Sequence, residues 1–158
     1  MTSRTSGNTN GLMTRNVSTW RTSVLRLAVI CALIGTGCAS NSQLGAEALL
    51  QGSESLRSAA AEGALLAEDA LSGKATSNYI HEHAVELSEA ASQIEATLQA
   101  ASTDPSLEPE RGQLVVLARR ISDDLQRLSE ASTDERRTLT SELQAAADAS
   151  QRVGEGLT

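Results

Sequence analysis

From residue 46 onward, apolar positions recur with the spacing of helices rather than strands. The clearest run covers residues 78–102. Ile80, Leu87, Ile94 and Ala101 return every seven residues, and Ala84, Ala91 and Leu98 each follow four later. That heptad pattern predicts a helix with one face in a bundle or coiled coil. Thr76, Ser77 or Asn78 suits its N-cap, and Thr103, Asp104 and Pro105 stop it. Residues 43–72 predict a preceding helix, with Leu49, Leu56 and Leu66 alternating with Ala60, Ala67 and Ala70. Gly45, Gly52 and Gly63 each weaken it by up to about 1 kcal/mol relative to alanine, and Gly73 suits its C′ position.

Downstream, Leu114, Ile121 and Leu128 form one stripe with Ala118 and Leu125 beside it. Proline is tolerated only in a first turn, so Pro105 and Pro109 place the start of this helix near residues 104–108. Leu139, Leu143, Ala146 and Val153 make a last stripe, and Ser132 with Glu135 reads as a capping box that opens it. The rival reading fuses the last two helices, because residues 129–138 contain neither Gly nor Pro. The break is favoured, since the stripe from Leu114 to Leu128 does not continue at Glu135. The expected fold is all-α: an antiparallel four-helix bundle over residues 46–158, with three helices, the last of them long, as the alternative.

Composition sharpens this picture. Residues 38–158 hold 22 alanines and 17 leucines, against three isoleucines and four valines, and Phe is absent throughout. Alanine and leucine are strong helix formers, whereas strands favour β-branched and aromatic residues. An alanine-rich core permits close helix approach but buries little area per residue, so it should be thin or completed by self-association. Nine basic and twenty acidic residues leave residues 38–158 with a net charge of −11. Nucleic acid is excluded as a partner, because its binding needs a basic surface that displaces counterions. Electrostatic adhesion to anionic lipid is excluded on the same ground.

The start of the chain is different. Arg4, Arg15, Arg21 and Arg26 precede or enter a short apolar run over residues 24–38, and no acidic residue occurs before Glu47. The run closes on Gly35, Thr36, Gly37 and Cys38. A positive region, a short apolar region and small residues together make a secretory signal peptide. A membrane-spanning helix needs about 20 apolar residues, and this run is shorter. The small residues before Cys38 resemble the lipobox of bacterial lipoproteins, although Gly35 stands where those signals usually carry Leu. The resemblance implies a signal peptide over residues 1–37, with Met13 an alternative start. It also implies acylation of Cys38, a tether over residues 38–45, and attachment to the membrane through acyl chains. Two chains are enough for stable anchoring. Ala39 and Ser40 imply, by the same resemblance, the periplasmic face of the outer membrane in a Gram-negative cell. Otherwise the outer face of the cell membrane is implied. Cys31 would leave with the signal peptide, so no disulfide is expected in the mature chain.

Candidate chemistry is sparse. His81, His83 and Glu86 carry the only metal-ligand residue types in a tight cluster. Residues two apart diverge by about 200° around a helix, so the two histidines should not share an ion. Glu54, Glu62, Glu68 and Asp69 resemble the carboxylates of di-iron bundles, but no histidine stands three residues after a glutamate as those sites require. The expected reading is a solvated face. Serines without a paired histidine supply no activated nucleophile. Charge is uneven: residues 38–103 carry nine acidic and two basic groups, and residues 104–158 eleven and seven. Arg119, Arg120, Arg136 and Arg137 are therefore expected either to pair with the acidic first hairpin or to leave it facing a basic partner. No catalytic residue, metal or cofactor is assigned. The expected function is a non-enzymatic, membrane-anchored envelope lipoprotein that acts as a scaffold or interaction module, with an envelope protein or its own copies as partner. A metal- or small-ligand-binding bundle on the same anchor is the alternative.

Overall fold

The computed structural model describes residues 43–158, so Cys38 and the signal-peptide reading lie outside the described residues. Four helices follow in order: α1 (Ala46–Leu71), α2 (Ser77–Ala100), α3 (Glu108–Glu130) and α4 (Thr133–Gly156). At about 1.5 Å per residue each is roughly 35–39 Å long. Short turns join them into the expected antiparallel four-helix bundle.

The boundaries follow the capping chemistry. Thr76 is the residue that caps α2, its hydroxyl accepting from the Tyr79 N–H at 3.3 Å. Gly73, at φ 68°, takes the left-handed conformation that closes α1. Ala131 is extended, and the Ser132 hydroxyl accepts from the Glu135 N–H at 3.4 Å, so α3 and α4 are separate helices. The three-helix alternative is thereby set aside. Glu108 and Pro109 occupy the first turn of α3, where a proline costs no intrahelical bond.

The core follows the predicted stripes. Leu114, Ala118, Ile121, Leu125 and Leu128 of α3 are fully buried, as are Leu139 and Leu143 of α4. Ile80, Ala84, Leu87, Ala91 and Leu98 form the buried face of α2; Ile94 is half-buried and Ala101 lies beyond the helix. The helices pack as two close pairs, α1 on α4 and α2 on α3. Small residues make each pair close. An ideal Cβ on Gly154 of α4 would lie 2.6 Å from the Ser53 hydroxyl oxygen of α1. Between α2 and α3, the Ser122 hydroxyl lies 3.0 Å from that of buried Ser88 and 2.8 Å from that of half-buried Ser92, so the hydroxyls satisfy one another. Ser53 and Ser150, also buried, donate to carbonyls of their own helices. α1 reaches across to α3 at Gly63, which faces the Leu125 side chain.

The segment read as tether is partly structured. Gln43 and Leu44 form a short parallel strand, β1, against Ser102 and Thr103, which form β2. Backbone pairing thus holds the entry of the chain against the α2–α3 connection. A side-chain clasp secures the same end. Arg111 bonds both carboxylate oxygens of Glu108, and its Nη1 donates to the Leu98 carbonyl at 2.7 Å. The Thr103 hydroxyl donates to Glu108 Oε2 at 2.8 Å. These donors, with Arg111 contributing most, hold the Glu108 carboxyl at about 2, below its ordinary 4.5. A lowered carboxyl stabilises the fold above its unfolded value and loses that contribution as pH falls. Glu108→Gln should therefore lower Tm at pH 7, and the deficit should shrink between about pH 4.5 and 2. Thermal melts followed by circular dichroism check this; a deficit independent of pH would show that the clasp is not ionic.

Candidate functional site

The histidines diverge as their spacing predicts. His81 lines a surface groove with Val85, Arg127, Glu130 and Glu135, where α2, α3 and α4 meet. His83 turns toward α1. Its Nε2 lies 2.8 Å from Glu62 Oε1, and its Nδ1 lies 3.4 Å from Glu86 Oε2. The Tyr79 ring stacks on its imidazole with centroids 5.4 Å apart. The ring nitrogens point away from each other, so Glu62 and Glu86 cannot join His83 around one ion. Among the described residues, no group of three or more His, Cys, Asp or Glu side chains is arranged to hold a metal.

The α1 carboxylates are spread over an exposed face. Glu62 serves His83, Glu68 Oε1 accepts from Gln144 Nε2 at 3.2 Å, and Asp69 lies 3.8 Å from Lys74. Glu54 and Glu62 are exposed. They do not converge on the bundle interior as a di-iron site requires.

The arginines divide between the two expectations. Arg119 crosses to the first hairpin, with Nη2 2.7 Å from Glu95 Oε1. Arg120 instead pairs with Asp124 on its own helix, at 3.7 Å, and Arg137 with Asp134, at 2.6 Å. Arg136 Nε is buried without a hydrogen-bond partner. Local partners three or four residues away hold two of the four, leaving most of the hairpin's acidic charge uncompensated.

The most unusual polar constellation lies between α3 and α4 and involves a residue the sequence reading passed over. Asp124 is 4% exposed, although it is a carboxylate. Helical i, i+4 spacing alone would pair Arg127 with Asp123; in the structure it turns to Asp124 instead, with Nη1 3.2 Å from Oδ1. The same Nη1 lies 3.6 Å from Glu142 Oε2, and Nη2 lies 3.5 Å from Glu135 Oε1. Burial pushes the Asp124 carboxyl above its ordinary value, and the neighbouring Glu142 charge adds to this; Arg120 and Arg127 oppose it. The sequence does hold a signal for this position. Leu117, Ile121, Asp124 and Leu128 follow helical i, i+4, i+7, i+11 spacing, placing an acid on the apolar stripe.

Nearer the other end of α3, Pro109, Gly112, Val116 and Leu117 face Ala149 and Val153 of α4 across an open groove of about 620 Å³. Val116 is exposed there. No helix among the described residues is long and apolar enough to cross a membrane. No family model matches the chain, and none of the curated proteins or solved structures is significantly similar to it.

Proposed function

We propose that this chain is a lipid-anchored, non-enzymatic bundle that serves as a scaffold or protein-interaction module in the bacterial cell envelope. The observation that carries the reading is the basic, apolar and small-residue run that ends on Cys38. Only residues 39–42 separate that cysteine from the paired strand at Gln43. Four residues give the anchor little slack, because an extended chain spans at most about 3.6 Å per residue. Acyl chains supply the attachment that a domain of net negative charge cannot obtain from anionic lipid. A binding role fits the surface better than catalysis does. His83 bonds Glu62 through Nε2 and lies beside Glu86 at Nδ1, and the buried serines are occupied with one another or with carbonyls. Neither supplies a base beside a free nucleophile.

The test compares the full chain with Cys38→Ala in intact cells. Wild type should incorporate labelled palmitate and remain with the membrane through a high-salt wash, leaving it only with detergent. The variant should take up no label and appear in the soluble fraction. Equal membrane retention of both would overturn the anchor. Crosslinking in intact envelopes, with the two forms compared, then reports whether partner capture depends on it.

A further inference from the structure

Two buried carboxylate oxygens on facing helices have an arginine nearby but no partner within hydrogen-bond distance: Asp124 Oδ2 on α3, 3.7 Å from Arg120 Nε, and Glu142 Oε2 on α4. Their carboxylates converge on one guanidinium nitrogen, Arg127 Nη1, at 3.2 Å from Asp124 Oδ1 and 3.6 Å from Glu142 Oε2. Each unpartnered oxygen is an acceptor, and ionised carboxylates cannot donate to each other. The local charge is also unbalanced. On α3, Arg120 and Arg127 face Asp123 and Asp124; from α4 come Glu135 and Glu142. From α2, His81 lines the groove shared by Arg127 and Glu135, and Glu95 is occupied by Arg119 further along. α1 meets α3 through Gly63 and Leu125, which carry no charge. Two guanidinium groups therefore serve three carboxylates, Asp124, Glu135 and Glu142, with the exposed Asp123 adding a fourth negative charge beside them.

We propose that Asp124 and Glu142 form a proton-sharing carboxyl pair that clamps α3 to α4 when the surroundings turn mildly acidic. One proton taken from solvent onto Asp124 Oδ2 makes it a donor toward Glu142 Oε2. Both orphaned oxygens are then satisfied, and one negative charge leaves the cluster. No covalent bond changes. The clamp acts on the α3/α4 seam, whose packing is less extensive than that of α1 on α4 or α2 on α3.

The shift direction supports this geometry. Burial and Glu142 raise the Asp124 carboxyl in the folded protein, so the fold binds this proton more tightly than the unfolded chain does. The charged form costs stability above the folded value, and the cost disappears as pH falls through it.

The experiment uses the full chain as wild type, Asp124→Asn and Glu142→Gln, with His81→Gln as a control for titration in the adjacent groove. An asparagine amide can donate to Glu142 at every pH, so Asp124→Asn should melt above wild type at pH 7.5. The gap should close by pH 4.5. A gap of opposite sign, or one that does not change with pH, would overturn the proposal. Carboxyl NMR titration of wild type supplies a second reading that needs no Asp124 variant. Asp124 should titrate above the ordinary aspartate range, and its midpoint should fall in Glu142→Gln. An ordinary midpoint, or one unmoved by Glu142→Gln, sinks the pair. Hydrogen exchange, corrected for intrinsic rate, should show α3 and α4 amides severalfold better protected at pH 5 than at pH 7.5, with that gain lost in Asp124→Asn.

Discussion

Replacing Leu125 with alanine should cost about 3–5 kcal/mol of folding stability, the upper part of the range for a large-to-small core change. The side chain is fully buried, and its Cδ2 sits against α1 at Gly63. Two effects set the size. The lost atoms forfeit apolar transfer energy, and the remaining cavity cannot readily collapse. Collapse would need α1 to move inward, but α1 is already held on α4 by the tight contact between Ser53 and Gly154. The thinness of this core amplifies the consequence. Its largest fully buried side chains are a short set of leucines and isoleucines, and alanines fill much of the rest. With a typical domain stability of about 5–15 kcal/mol, one such change removes a large share. Tm should fall by roughly 10–20 °C at this chain length. Leu65→Ala is the control: Leu65 is 62% exposed, and its loss should stay within about 0.5 kcal/mol. Chemical denaturation of both variants decides the matter, and similar midpoints for the two would contradict the packing described.

Leu125 was legible in the sequence because it stands on an uninterrupted stripe with Leu114, Ala118, Ile121 and Leu128. The Ser132 break was legible for a related reason: capping chemistry is local, and its donors and acceptors lie within four residues. The β1–β2 pair left no comparable trace. Two residues on each side provide no alternation, and backbone groups supply the bonding. Ser88, Ser92 and Ser122 were hidden because a hydrophobic pattern counts serine as polar, whereas their hydroxyls satisfy one another at the α2/α3 contact. Of the candidate chemistry, the divergence of His81 and His83 could be read from helical geometry. Their partners could not, since Glu62 comes from another helix. Arg127 shows the same limit. Spacing alone offered Asp123, but the direction of the seam between α3 and α4 selected Asp124, Glu135 and Glu142.

Gly63→Val should destabilise the bundle by about 2–4 kcal/mol, although valine has the better intrinsic helix propensity. Sequence reasoning gives Gly52 and Gly63 the same penalty, because both lie inside one helix. Packing separates them. An ideal Cβ at position 63 would lie 2.5 Å from Leu125 Cδ2 and 3.3 Å from Leu143 Cδ1, while one at position 52 meets nothing within 4 Å. A methyl group alone would force Leu125 from its place, and both leucines are fully buried among their neighbours. The branched carbons of valine leave still less room. Either the leucines leave their rotamers or α1 backs away from α3 and α4, and each route costs more than the propensity regained. Gly52→Ala has the opposite sign, with a gain of up to about 1 kcal/mol from reduced freedom of the unfolded chain. A double-mutant cycle isolates the contact. In the Leu125→Ala background the obstacle at position 63 is largely removed, so Gly63→Ala should cost markedly less than in wild type. Additive effects of Gly63→Ala and Leu125→Ala would mean that α1 and α3 do not meet at this point.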